Sequence, residues 1–261
     1  MRFARLAILL LGMFGGALPS AAAEVCDPMA VDLVTTPART PNYPNVRETL
    51  NLQASLPEKA DAILFGDSLF AGWRTDLPKA FPATSVYDFA VGGDRVPNVL
   101  WRIANTDIGR LKPKVLALLI GTNDLAAGTP PCAVAVGIET IVERLRAIWS
   151  DTPIFVLTIP PRGRDFREID DQRLEVNRAI ASLGASHKNV HPVVIDDVAF
   201  TCGQYGKSLP TDTANVCLAD LRLECPNYVD DHVHFTVQGY TELARILRSG
   251  SQSTLSKNLF N

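Results

Sequence analysis

Five short apolar runs, at 62–65, 86–89, 115–120, 154–159 and 190–195, alternate with helical stretches along most of the chain. A short apolar run without polar alternation reads as a strand buried on both faces. Strands of that kind separated by helices imply a parallel sheet covered on either side, so the pattern predicts a three-layer α/β/α sandwich around a five-stranded parallel sheet. The clearest helix spans 133–149, where Val134, Ile138, Ile141, Val142, Leu145 and Ile148 recur at three- and four-residue spacings and make one apolar stripe. Helices over 46–56, 95–104, 171–183 and 239–247 fill the remaining connections. In sheets of this type the binding crevice lies outside the carboxyl ends of the strands.

The first run breaks into Gly66, Asp67, Ser68 and Leu69. A glycine and a small hydroxyl residue at that point predict a strand turning into a helix, with Ser68 where free backbone N–H groups gather. Such a helix start stabilises negative charge, which an attacking serine needs once a carbonyl becomes an oxyanion. The plainer alternative is an N-cap serine. Far downstream, in Tyr228-Val229-Asp230-Asp231-His232-Val233-His234-Phe235-Thr236, Asp231 and His234 are three apart. That spacing puts them on one face of a helical turn and lets a carboxylate orient an imidazole. Of the four histidines, at 187, 191, 232 and 234, only His234 follows an aspartate at this interval. Asp230 is a near rival to Asp231, and His232 is expected to be exposed or bonded to its loop rather than catalytic.

These two segments resemble the first and last sequence blocks of the SGNH, or GDSL, hydrolases. The two middle blocks have counterparts as well: Asp88-Phe89-Ala90-Val91-Gly92-Gly93-Asp94 resembles the glycine block, and Gly121-Thr122-Asn123-Asp124 the asparagine block. Val99-Leu100-Trp101-Arg102, Lys112-Pro113-Lys114-Val115 and Pro161-Arg162-Gly163 are further similar to the catalytic subunits of intracellular platelet-activating factor acetylhydrolases, over roughly 46–248. The resemblance implies the flavodoxin-like SGNH hydrolase fold and a serine esterase needing neither metal nor cofactor. Ser68 is then the nucleophile, His234 its base and Asp231 the residue that fixes the ring. The oxyanion hole is the backbone N–H of Ser68 and of Gly93 with the side chain of Asn123, Gly92 being the alternative to Gly93. Ser68, Gly93 and Asn123 each follow a predicted strand, so the topological rule brings them to the same edge. Asp67 and Asp124 are expected to support loops, and Arg162, Arg164 and Arg167 to lie on a solvated one. The acetylhydrolase likeness points to short acyl groups, such as acetyl esters of carbohydrates or small alcohols.

Residues 1–23 carry Arg2 and Arg5, an apolar stretch from Leu6 to Leu18 and then Ala21-Ala22-Ala23, the pattern of a cleavable secretory signal peptide. Cleavage after Ala23 leaves 23 Lys and Arg against 28 Asp and Glu, a net charge of −5 that argues against nucleic acid as a partner. The expected protein is secreted or periplasmic, with no stable membrane insertion after cleavage. Residues 24–45, which hold Pro28, Pro37, Pro41 and Pro44, read as an extended N-terminal arm. A single domain follows over 46–250, with a cysteine-containing loop at 201–228 and a polar tail at 251–261. Five cysteines, at 26, 132, 202, 217 and 225, predict two disulfides and one free thiol, with at least one bridge pinning the loop.

Three rival readings remain. Asp230, Asp231, His232 and His234 form a metal cluster in one, although their spacing fits no common ligand pattern. A second keeps the serine chemistry but takes longer acyl chains, as a lysophospholipase or thioesterase. The third is a glycan- or lipid-binding module that has kept the fold without catalysis.

Overall fold

The computed structural model describes residues 26–209, 221–255 and 260. Its strands β1 (Ala62–Gly66), β2 (Val86–Asp88), β3 (Val115–Leu119), β4 (Ile154–Leu157) and β5 (Val190–Val193) form one sheet in the order β2-β1-β3-β4-β5, and every pair is parallel. The chain leaves β1 for the edge strand β2 and returns to β3, so the connections part in opposite directions between β1 and β3. A crevice opens at the carboxyl ends there.

Alternate strand residues face opposite layers. Ile63, Phe65, Leu116 and Leu118 pack beneath helices α1 (Pro28–Thr35), α2 (Tyr43–Ala54), α5 (Val96–Ala104), α7 (Pro131–Ile148) and α8 (Asp170–Ser186). Ala62, Leu64, Val115, Ala117 and Leu119 turn the other way, toward α3 (Ser68–Ala71), α4 (Leu77–Ala80), α9 (Asp197–Phe200) and α10 (Val237–Leu255). The sandwich is therefore the one the apolar runs predict. Helix α6 (Thr122–Ala126) caps the end of β3. Gly66 ends β1 as the only residue type that fits, because a Cβ there would stand 2.2 Å from the Leu119 carbonyl oxygen.

Strands β4 and β5 end earlier than their apolar runs, where backbone N–H groups leave the ladder for side-chain partners. Ile159 N–H donates to Asn177 Oδ1 at 2.7 Å, and Ile195 N–H to Thr158 Oγ1 at 2.8 Å. The N-terminal arm is not extended. Asp27 caps α1 through Met29 N–H, Asn42 caps α2 through Asn45 N–H, and Pro28 and Pro44 stand in the first turns. Those prolines start helices instead of preventing them, because a fixed φ suits the first turn and the missing N–H has no helical acceptor there.

Cys26 is bonded to Cys132 and Cys202 to Cys225, so one bridge ties α1 to the start of α7 and the other closes the predicted loop. Cys217 and residues 1–23 lie outside the described residues. The C-terminal stretch is not a plain polar tail either. Helix α10 continues to Leu255, and Phe260 is fully buried with its ring 5.4 Å from Phe81 and 6.2 Å from Phe155.

Candidate active site

Ser68 is the first residue of α3, immediately beyond β1. It is not the N-cap: Asp67 takes that position, its Oδ1 accepting from Leu69 N–H at 2.9 Å, and the serine hydroxyl is left for other work. His234 Nε2 lies 2.8 Å from Ser68 Oγ, and His234 Nδ1 lies 2.6 Å from Asp231 Oδ2. An ionised carboxylate only accepts, so Nδ1 carries the proton and the Nε2 lone pair faces the serine hydroxyl.

The geometry that holds the imidazole is a turn rather than the helical face the spacing predicts. Asp231 Oδ1 accepts from Val233 N–H at 2.8 Å and from His234 N–H at 2.9 Å, while Oδ2 takes the ring. An antiparallel bridge between Tyr228 and Phe235 closes the turn at its base. Burial works to raise the Asp231 carboxyl, but the His234 N–H, the His234 ring and the Val233 N–H outweigh it and hold the group below the usual range. Asp231 rather than Asp230 reaches the ring. Of the two placements expected for His232, exposure fails and bonding to its loop holds: the residue is buried, its N–H donates to Val229 O at 2.9 Å, its carbonyl accepts from Gly163 N–H, and its ring stacks on Phe166 with centroids 5.1 Å apart. It is a wall of the loop, and its ring faces Phe166 instead of joining Asp230, Asp231 and His234. Among the described residues no group of three or more metal-ligating side chains converges.

On the other side of the serine, Gly93 is exposed at φ +72°, a conformation that favours glycine. Asn123 Nδ2 donates to the Asp94 carbonyl at 2.9 Å, which fixes the side-chain amide against the loop that carries Gly93. Beneath them lies Arg102 of α5, 1% exposed. Its guanidinium is ion-paired with Asp94 and donates to Phe89 O at 2.9 Å and Gly66 O at 3.3 Å. One buried cation thereby joins the end of β1, the end of β2 and the glycine loop. Asp124 accepts from Val96 N–H with both oxygens, each at 3.2 Å, and ties α6 to the start of α5. The supporting role expected for Asp67 and Asp124 is the one their bonds describe.

Burial pushes the carboxyls of Asp67 and Asp124 up to about 7, with the Asp124 charge adding to the rise at Asp67 and Arg162 and Arg102 opposing it. Arg162 is accordingly not on a solvated loop. It is half-buried, donates to Thr122 Oγ1 at 3.3 Å and to Glu168 at 3.1 Å, and extends beneath the asparagine turn, whereas Arg164 and Arg167 are exposed. Arg102 and Asp94 are the supporting residues that sequence reasoning missed. The available signal was Arg102 itself, one helical turn from Val99 and beside Ile103, both of them core residues.

A hydroxyl bonded to an imidazole that is bonded to a carboxylate, at the carboxyl edge of a doubly wound sheet, is the arrangement of serine hydrolases. Residues 64–241 match the profile of the GDSL-like lipase/acylhydrolase family, and the chain belongs to that family as an ester hydrolase of GDSL type. It is 26% identical over 196 residues to platelet-activating factor acetylhydrolase IB subunit alpha2 of Rattus norvegicus, a match spanning 73% of this chain and 75% of the relative. Among solved structures, a GDSL-like lipase of Bacteroides thetaiotaomicron aligns with TM-score 0.56 at 18% identity, covering 81% of this chain and 99% of the other. A family 3 carbohydrate esterase of Clostridium thermocellum aligns with TM-score 0.54 at 16% identity, covering 76% and 98%. At these identities the two structures share the fold.

Two outcomes are expected from the buried charges. Arg102→Met leaves the Asp94 carboxylate uncompensated and should lower stability in urea unfolding by about 3–5 kcal/mol, with part of that recovered when Asp94→Asn is added. For Asp67, the raised native pKa means that between about pH 4 and about pH 7 the folded state holds a proton the unfolded chain releases, so this group's contribution to stability falls as pH rises. Asp67→Asn keeps an acceptor for Leu69 N–H and should therefore gain on the wild type across that window, read as the difference between urea midpoints at pH 4 and pH 7.

Proposed function

We propose that the chain is an exported esterase acting on short acyl esters, acetyl esters of carbohydrates or small alcohols in particular. The carrying observation is the continuous set of bonds from Ser68 Oγ to His234 Nε2 at 2.8 Å and from His234 Nδ1 to Asp231 at 2.6 Å. Ser68 Oγ attacks the ester carbonyl as His234 takes its proton, and Asp231 holds the ring and stabilises the imidazolium that forms. The tetrahedral oxyanion is held by the N–H groups of Ser68 and Gly93 and by Asn123 Nδ2. Collapse breaks the ester C–O bond, His234 returns the proton to the leaving alkoxide, and the acyl group remains on Ser68. Water, deprotonated by the same imidazole, then attacks the acyl-enzyme and frees the acid and the serine.

The short-acyl reading rests on likeness to a protein named for acetylhydrolysis and to a solved carbohydrate esterase. Export is supported by the two disulfides, which persist in oxidising compartments, and by the sequence pattern of residues 1–23. Lysophospholipid or thioester hydrolysis uses the same groups and differs in the length of acyl chain that is accepted.

The cleaved chain should be labelled by a fluorophosphonate probe and Ser68→Ala should not, with wild-type ester hydrolysis unaffected by EDTA. Asn123→Ala should lose on the order of 100-fold to 1,000-fold in kcat while its thermal midpoint stays near that of the wild type. Resistance of the wild type to the probe would remove the serine mechanism and favour the binding-module reading. On p-nitrophenyl esters of increasing acyl length, kcat/KM should fall steeply beyond acetyl, and a rise toward long chains would overturn the short-acyl assignment.

A further inference from the structure

Helix α2 lies outside the span that matches the family, yet it reaches the catalytic edge. Arg74 holds it there. Its guanidinium pairs with Glu48 of α2 at 2.7 Å and with Asp88 of β2 at 3.2 Å, and donates to the Ala90 carbonyl at 2.6 Å. Behind it, Ala38 N–H donates to Pro97 O at 3.0 Å and Asn98 Nδ2 to Ala38 O at 2.9 Å, and the Cys26–Cys132 bond anchors the segment at its start. The N-terminal helices are thus fastened around the glycine loop.

Asn45 stands three residues before Glu48, and side chains at that interval share a helix face. Its amide lies over Gly93: a Cβ built on that glycine would come within 3.1 Å of Asn45 Nδ2. Gly93 is exposed and Asn45 half-buried, so the amide borders open space beside the anion cradle. The backbone N–H of Asn45 is used by Asn42 Oδ1, whereas its side-chain amide has no hydrogen-bond partner among the described residues. A primary amide both donates and accepts. Facing a hydroxylated group it gains bonds, while an alkyl or aryl group laid over it strips its water and returns nothing.

We infer that Asn45 is a specificity residue: it contacts the alcohol part of the ester and favours a hydroxylated alcohol, as in a sugar or polyol ester, over an apolar one. The inference rests on the ester-hydrolase reading and deepens it, since a short acyl group leaves the alcohol as the part large enough to be recognised. It also makes α2 a working wall of the cleft, so that the substrate is read by a segment the family match does not contain.

The test compares kcat/KM on 6-O-acetylglucose with kcat/KM on p-nitrophenyl acetate. In Asn45→Ala and in Asn45→Leu the ratio of the two should fall about tenfold, the size of one lost hydrogen bond in a discriminating site. Asn45→Asp, which keeps acceptors but loses the donors, should fall between those variants and the wild type. A ratio that stays at the wild-type value, or both substrates declining in parallel, would overturn the inference, the second outcome meaning that Asn45 merely props the Gly93 loop. Binding gives an independent arm. In the Ser68→Ala background, Asn45→Ala should weaken 6-O-acetylglucose about tenfold by calorimetric titration, and equal affinity would equally refute the assignment. Loss of fluorophosphonate labelling in the wild type would strike the serine mechanism alone and leave the titration to judge Asn45.

Discussion

Arg102 is the point on which the catalytic edge depends. A guanidinium offers five N–H donors in a rigid plane, and here that plane is 1% exposed, beside the ends of β1 and β2 and against Asp94. The Phe89 carbonyl takes its hydrogen bond from this guanidinium, and the Gly66 carbonyl, which also accepts from Val91 N–H at 3.2 Å, receives a second one at the very place where the sheet stops. A buried ion pair is rarely a net source of stability, because the desolvation of both charges offsets most of their attraction. Its use here is geometric. The Asp94 backbone receives Asn123 Nδ2, so the position of one cation is passed through a single residue to the asparagine turn, while the Gly66 contact passes it toward Ser68. Three separate loops share one fixed reference.

The groups proposed to be catalytic are comparatively open. The His234 and Asp231 side chains are 42% and 48% exposed, against full burial of Asp67, Asp94 and Arg102 beneath them. That division suits the chemistry. The imidazole must exchange protons with an alcohol and then with water, whereas the cradle must not reorganise when charge develops. The buried polar groups lie in the frame, and in the proposed mechanism the solvent-facing turn carries the proton. Each oxygen of Asp231 is committed, one to backbone N–H groups and one to the ring, so the turn and the imidazole are held by the same group.

The sheet was legible because strands buried on both faces leave uninterrupted apolar runs, and Ser68, Asp231 and His234 were legible because chemistry restricts residue type and spacing. What the residues conceal is different in each case. Proline counts suggested an extended arm, yet Pro28 and Pro44 sit in first turns, where a helix tolerates them. For His232 the sequence left exposure and loop bonding both open, because its stacking on Phe166 depends on a ring more than sixty positions away in the chain. Arg102 appeared in a recognisable motif, and only the three-dimensional meeting of β1, β2 and Asp94 gives it a task. Local pattern reports a segment's own preferences; long-range charge pairing and stacking leave little trace in any single window.

The bond between Cys26 and Cys132 has one more implication. The connection from α1 to α2, residues 36–42, is exposed apart from Thr40, and a protease reaching it would sever the peptide backbone between the two helices. Because α1 is covalently joined to α7 by sulfur as well as by chain, the released fragment would remain attached, and the nicked molecule would travel as one species until exposed to a reductant. The amino terminus is in effect a loop closed by its own clasp.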